Sequence, residues 1–456
     1  MSKDNKKSDP GQLLFSFNES ITADFKGGQV SSDGGLLLLR EFDKKISFIK
    51  KLSTRIQDPR NPLFIVHEQE EILRQRIFQI ILGYEDADDS DLLRHDPLFQ
   101  LTVKNEKDKF RLFDVKELAS QPTISRLENR IYEDEMGCLG NYLLDNYINS
   151  REKAPKSIVL DLDSTDDPTH GNQQLSLYHG YYEETMYHPL LIYENESKLC
   201  LGAYLRPGNV HTADNVLKYL SPIVKRLKTV FSEAEITIRA DAGFSSPEMY
   251  EFCEEENLRY AIGIASNNVL MKCTKKYLSK ARKQFKKSGK AMCVYHSFKY
   301  KAESWNKQRK VVVKIEITEH GEDIRFVVAN MKGRSKPIYE FYGERGNCEN
   351  QIKETKNGFK ADRLSCHRFY ANYFRLLLHA CAYNFISLFK ASLKERNPEL
   401  ADAQVDTLRL KLFKVGAWIK ETTRRIWVHI SSSWPFRGLF EQAYLSIRAL
   451  PAFSSA

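Results

Sequence analysis

From about residue 25 to residue 150 the apolar positions recur at helical spacing. Leu73, Ile77, Ile80, Ile81 and Tyr84 share one stripe, with Arg74 and Arg76 beside it and Gly83 as a stop signal. A turn and then a helix are predicted for SQPTISRLENR, 120–130. From Pro155 the period shortens. SIVLDLD (157–163), HPLLIYE (188–194) and LCLGAYL (199–205) are short apolar runs between polar segments, the pattern of strands. RPGN then predicts a turn, and an amphipathic helix follows over 213–228. EITIRA (235–240) is a fourth strand, a helix is predicted over 247–256, and RYAIGI (259–264) is a fifth strand. VVVKIEI (311–317) and RFVVAN (325–330), joined by TEHGED, read as a hairpin. Tyr370 to Lys390 is a long apolar helix, and 408–435 reads as a hairpin-like β unit with scattered Lys and Arg.

Three strands, helix, strand, helix, strand is the order of a ribonuclease-H-like core. The expected fold class is therefore α/β: a ribonuclease-H-like catalytic core with a β-rich insertion, plus a mainly helical N-terminal domain. The expected divisions are 1–150, a helical N-terminal region; 151–265, the first part of the core; 266–336, a basic helix and β-hairpin insertion; 337–395, the rest of the core; and 396–456, a C-terminal region. Residues 1–20 are expected to form a mobile arm.

The most informative stretch is YGERGNCENQIKETK, 342–356. On one α-helix, about 100° per residue would place Tyr342, Arg345, Glu349 and Lys356 on a single stripe about 60° wide. A helix face turned to a hydrophobic core carries Leu or Ile. This face carries one acid among phosphate-binding groups, as metal-assisted phosphodiester chemistry requires. Such a site needs further carboxylates from other elements. Asp241 ends the fourth strand, in RADAGF, and the first strand ends in LDLDSTDD. Asp161 and Asp163 lie two apart and face the same side of that strand, so either one could be the partner. Asp166 and Asp167 read as turn formers with Pro168, and His170 as a loop residue or a phosphate-orienting group.

The spacing Tyr-x2-Arg-x3-Glu-x6-Lys resembles the signature helix of the IS4-like DDE transposases. ENQIKE (349–354) and ADRLSCH (361–367) resemble more narrowly the IS1380 family of insertion-sequence transposases, as do SSDGGLLLLRE, LRQRIFQIILGYEDADDSDLLRHDP and SQPTISRLENR in the N-terminal region. The resemblance implies a catalytic triad of Asp163, Asp241 and Glu349, with Asp163 matched through Asp-Ser-Thr and Asp161 kept as the alternative. It implies two Mg2+ ions, with Mn2+ as a possible substitute, DNA strand cleavage at the element ends, and transfer of the freed 3′-hydroxyl to target DNA. Tyr342, Arg345 and Lys356 would hold phosphates. Trp305, in the insertion, would be a stacking platform for an extruded base, or would simply pack on the hairpin. The N-terminal region would help bind the element ends, through helices with outward Arg and Lys. A homodimer is implied, because two ends must be held together.

Charge agrees with that partner. The 456 residues carry a net charge of +9, with 69 basic and 60 acidic side chains, which favours nucleic acid. Residues 257–302 contain no Asp or Glu, while Lys and Arg crowd 272–290. The eight cysteines include no CxxC pair, so neither a zinc module nor a redox pair is indicated. The N-terminus lacks the apolar core of a signal peptide, and the run Leu376 to Phe389 is too short to span a bilayer. A cytoplasmic, nucleoid-associated protein is expected, with no membrane partner. Two other readings remain: a catalytically inactive DNA-binding derivative, and a ribonuclease-H-like nuclease that cuts without joining.

Overall fold

The structure, a computed structural model, describes residues 12–18, 20–105 and 117–451. Most of the arm expected at 1–20 lies outside the described residues; within it, Leu13–Leu14 pairs antiparallel with Thr22–Ala23.

One eight-stranded mixed sheet organises the chain. Its strands are β1 (Ser157–Ser164), β2 (Leu190–Glu194), β3 (Cys200–Tyr204), β4 (Glu235–Ala240), β5 (Arg259–Ile264), β6 (Met292–Tyr300), β7 (Arg309–Thr318) and β8 (Gly321–Ala329). They lie in the order β6-β7-β8-β5-β4-β1-β2-β3. β4 runs parallel to both β1 and β5, and the other pairs are antiparallel. The central strands are buried on both faces, as their near-continuous apolar runs require. The expected two-stranded hairpin is thus three strands, and it is continuous with the main sheet, because β8 pairs with β5. β6, MCVYHSFKY, was not predicted. It is an edge strand of mostly half-buried residues, so it lacks the apolar run that marked the others.

On one face of the sheet pack α3 (Val216–Val230), α4 (Pro247–Glu255) and α5 (Asn268–Ser288), over Leu160, Leu162 and Ile238. On the other face, α8 (Phe369–Leu393) packs against Leu191, Tyr193 and Ala203. Around α8 lie α1 (Gln69–Leu82), α2 (Glu133–Asn149) and the C-terminal helix Arg437–Ala449. By length and composition α8 could cross a membrane, yet 72% of its most apolar window is buried inside the protein. The C-terminal hairpin Ala417–Glu421 and Ile426–Ile430 is completed by Gln29–Ser31, so the two ends of the chain share one small sheet. The stretch before it is helical to Phe413, not extended.

Arg74 and Arg76, which lie beside the apolar stripe in sequence, are buried with it, each 1% exposed. α1 is enclosed on nearly all sides, so its polar groups must find partners inside. Arg74 donates to Asp43 at 3.1 Å and to the Val103 carbonyl at 2.7 Å. Arg76 donates to Glu128 at 3.4 Å, and Arg375 lies against the same carboxylate. One expectation is corrected: Asp167, expected to form a turn with Pro168, lies in a short strand instead. It pairs with Tyr187 in a short strand and is buried, with neither carboxylate oxygen hydrogen-bonded among the described residues. Burial, with Asp362 nearby, pushes its pKa well up.

Candidate active site

The sheet register assembles the site. Ala240 pairs with Leu162 in the parallel β1–β4 ladder, so the next residues, Asp241 just past β4 and Asp163 near the end of β1, stand side by side. Ligand sites in open α/β sheets form outside the carboxyl ends of such strands. The Asp163 side chain is 13% exposed. Its Oδ1 accepts the Ser164 N–H at 2.9 Å and its Oδ2 accepts Arg345 Nη1 at 3.2 Å. Burial, with Asp241 and Glu349 nearby, raises its pKa to about 7 against the pull of Arg345 and the Ser164 N–H. Asp241 caps the turn Ala242–Phe244 by accepting the Gly243 N–H at 2.8 Å.

The third acid comes from an interrupted helix. The single helix expected over 342–356 is three pieces: α6 (Ser335–Gly343), α7 (Gly346–Lys353) and a π-helical turn, Glu354–Gly358. Gly343 and Gly346 flank the break, where their poor helix propensity costs least. Tyr342, Arg345, Glu349 and Lys356 therefore sit on successive pieces, not on one regular stripe. Arg345, in the break, bridges two acids: Nη1 bonds Asp163 and Nη2 bonds Glu349 Oε1 at 2.7 Å. Burial alone would lower its pKa, but Asp163, Tyr342, Glu349 and Asp241 hold it above the usual arginine value.

Lys356, on the π turn, reaches back to the segment after β1. Its ammonium donates to Thr165 Oγ1 at 3.1 Å and to the Asp166 carbonyl and carboxylate at 2.8 and 3.0 Å. Burial would raise the Asp166 pKa, but the bond and charge of Lys356 lower it. Tyr342 stands behind Arg345, its hydroxyl against β5. A Cβ on Gly263 would lie 2.6 Å from that oxygen and 3.0 Å from the Ala242 nitrogen, so glycine there is required by close approach. Burial raises the Tyr342 pKa.

These groups line a cleft of about 450 Å³, with Asp163, Asp241, Arg345, Glu349 and Lys356 around it. Ser164, Thr165, Tyr182, Ile352, Lys353 and Asn357 complete its wall and were not anticipated. Ser164 and Thr165 were readable as neighbours of Asp163. Tyr182 had no signal, because it arrives from a separate hairpin. The alternative first acid, Asp161, lies one pleat deeper, fully buried. Its Oδ2 accepts Arg239 Nη2 at 2.8 Å, and Arg239 also donates to the Phe341 carbonyl at 2.8 Å. That pair ties β1 and β4 to the end of α6. His170 is exposed in the loop beyond, its carbonyl accepting Gln173 Nε2 at 3.3 Å.

Of the two readings left open for Trp305, its surroundings favour packing. It is 5% exposed, with Tyr250 and Tyr300 edge-on at 5.2 and 5.3 Å and the Arg309 guanidinium 5.4 Å from its ring. An indole enclosed in this way has no free face for a base, so it packs on the sheet.

Among the described residues, no three His, Cys, Asp or Glu side chains stand close enough together to hold a metal ion. Arg345 lies between Asp163 and Glu349 and supplies the positive charge there. The donor set nevertheless fits a hard divalent cation: three carboxylates, without thiol or imidazole. Burial is the main cause of the raised Asp163 pKa, and the charge of such a cation would favour the ionised carboxylate there.

The structure is similar to a cryo-EM structure of a piggyBac transposase synaptic complex with hairpin DNA, at 12% identity and a TM-score of 0.42, covering 83% of this chain and 80% of that one. A search of curated proteins finds no match. The sequence model of the family described as Transposase DDE domain group 1 matches residues 14–452. That match takes in both strand-end aspartates, the interrupted helix and the helical N-terminal region, and the chain belongs to this family of transposases.

Proposed function

We propose that this protein catalyses cut-and-paste DNA transposition, binding the terminal inverted repeats of an insertion sequence, cutting at its ends and joining them to target DNA. One observation carries the reading: the β1–β4 register and the Arg345 bridge bring Asp163, Asp241 and Glu349 to a single cleft. The strand order β5-β4-β1-β2-β3, with β4 and β5 parallel to β1, supports a ribonuclease-H-like core. ENQIKE and ADRLSCH support placement in the IS1380 group.

In this reading Asp163, Asp241 and Glu349 hold Mg2+ or Mn2+. Such ions, when bound, would supply Lewis-acid activation of the attacking hydroxyl. The chain's own groups do the rest. Arg345, released from its carboxylates, has the planar fork that binds phosphate oxygens bidentately. Lys356 directs its three N–H donors at Thr165 Oγ1 and at the Asp166 carbonyl and carboxylate, so it acts on the DNA backbone through its charge, or bonds a phosphate by exchanging one of these partners for it. Tyr342, lodged against Gly263, holds Arg345 from behind. The exposed lysines of α5 supply a surface for the DNA backbone away from the cut. Two ends require two such clefts, hence two copies of the chain in a nucleoid-associated complex.

Glu349→Gln tests the reading. It removes one charge at an exposed position, so binding to an end-containing duplex should persist while Mg2+-dependent nicking falls at least a hundredfold, about 2.7 kcal/mol. Nicking by the Gln variant at the wild-type rate refutes the assignment, and nicking without strand-transfer products reduces the protein to a nuclease.

A further inference from the structure

The turn RPGN, 206–209, follows β3, and its first residue is sealed in the fold: Arg206 is 2% exposed. A guanidinium taken out of water usually meets a carboxylate, as Arg239 meets Asp161. Among the described residues Arg206 instead bonds three carbonyls and one hydroxyl. Nε donates to the His188 carbonyl at 2.9 Å, Nη1 to the carbonyls of Thr212 and Asp214 at 3.1 Å each, and Nη2 to Ser164 Oγ at 2.9 Å. The Asp214 carboxylate is engaged in its own turn, accepting the His211 N–H at 3.1 Å. Burial lowers the Arg206 pKa to about 10, against Tyr219 and Asp214, so the group stays charged at neutral pH.

The partners of Arg206 share one location, the rim of the cleft. Ser164 follows Asp163, and its N–H donates to Asp163 Oδ1 at 2.9 Å. Thr212 stands beside the other strand-end acid. A Cβ on Gly243 would lie 2.9 Å from Thr212 Cγ2 and 3.1 Å from Asp241 Oδ1, so the Thr212 methyl packs on the turn that carries Asp241. The Gly243 N–H is itself the donor to Asp241, at 2.8 Å. His188 closes the frame: its N–H donates to the Arg206 carbonyl at 3.1 Å, and its ring bonds the Val210 carbonyl at 2.8 Å. One guanidinium therefore reaches both acids at one remove, Asp163 through Ser164 and Asp241 through Thr212. A planar fork with fixed N–H directions holds the segments it bridges in one relative position, which a flexible ammonium does not.

We infer that Arg206 is a positioning residue for the metal-binding carboxylates: through Ser164 and Thr212 it sets the separation at which Asp163 and Asp241 face the cleft. The inference rests on the metal-dependent reading of that cleft. Carboxylates from two different strands share a divalent ion only at the correct spacing, and Mg2+ tolerates little departure from its octahedron. Groups that orient metal ligands without touching the metal typically contribute roughly ten- to a hundredfold in affinity. Arg239 fixes the same two strands one pleat deeper, through Asp161; Arg206 fixes their ends.

The test uses the full-length protein with Mn2+ alone as the probe, at a temperature well below the melting point of each variant. Arg206→Lys keeps the charge and loses the fork. Ser164→Ala removes only the hydroxyl that the fork holds. Calorimetric affinity for Mn2+ should fall roughly tenfold in R206K and by a smaller factor in S164A. R206K should need roughly tenfold more Mn2+ for half-maximal nicking of an end-containing duplex, with a maximal rate close to that of wild type. Mn2+ affinity unchanged in R206K, or in S164A where R206K does not fold, overturns the inference. So does a maximal rate that excess Mn2+ fails to restore, which marks a general loss of structure. If wild type binds Mn2+ no better than Asp163→Asn, it is the metal-dependent reading that fails.

Discussion

Two basic helices of this protein use charge in opposite ways. α1 carries Arg74 and Arg76 inside the fold, each bonded to carboxylates and carbonyls. α5 carries Lys276, Lys280, Lys283 and Lys287 on an exposed face, over a sheet edge. In sequence the two look alike, as basic residues interleaved with apolar ones. Their surroundings separate them. A charge removed from water must be matched by partners at fixed distances, so it becomes part of the structure. A charge left in water is screened and weakly coupled to folding, and it stays available to a polyanion. Asp163 lies between these cases, mostly buried but only partly neutralised by Arg345.

The contrast fails first if Arg76 can be removed at no cost. Arg76→Ala leaves Glu128 buried with one cation fewer, and should lower unfolding stability by about 3–5 kcal/mol, read from urea midpoints. A change below ~1 kcal/mol would show that the pair is not doing what its burial implies. Asp163 gives the intermediate effect, with a defined pH dependence. Its folded pKa, about 7, lies above the unfolded value of 3.8. The native state therefore holds more protons than the unfolded chain between those values, and the group costs stability as pH rises through that window. Without divalent cation, Asp163→Asn should be more stable than wild type by up to about 4 kcal/mol at pH 8, less whatever the lost Arg345 contact contributes, and no more stable at pH 4. Mg2+ or Mn2+ should raise the melting temperature of wild type at pH 8 and leave that of the Asn variant nearly unchanged. The smallest effect on folding belongs to α5. Replacing Lys276, Lys280, Lys283 and Lys287 by Gln should leave the melting temperature in place. The dependence of log affinity for DNA on log salt should become shallower by about 0.9 for each phosphate the helix no longer neutralises. A melting-temperature drop with an unchanged salt slope would reverse the roles given to the two helices.

Much of the site was legible because its chemistry sits at the ends of strongly patterned elements. β1 and β4 read as strands from apolar runs that end in Asp163 and Asp241, and Glu349 stood out as an acid among cations. The interruption at Arg345 was not legible. Two glycines signalled weakness there, but only packing against β4 and β5, through Arg239 and Gly263, fixes where the helix breaks. β6 was missed because an edge strand needs no buried run, and Tyr182 because its hairpin is brought to the cleft by distant contacts with Gly208. The sequence model of the family matches the chain from residue 14 to 452, as the resemblance in the signature stretch implied at the level of DDE transposases.

By itself, then, the sequence determined which segments become strands and helices and which side chains carry acid, cation or hydroxyl, since these depend on local period and residue chemistry. The tertiary structure decided which charges are sealed and which are offered. Arg74, Arg76, Asp161 and Trp305 went inside; Arg345, Lys356 and Tyr182 came to the cleft. Burial and register are set by contacts between residues far apart in the chain, and a one-dimensional pattern does not contain those distances.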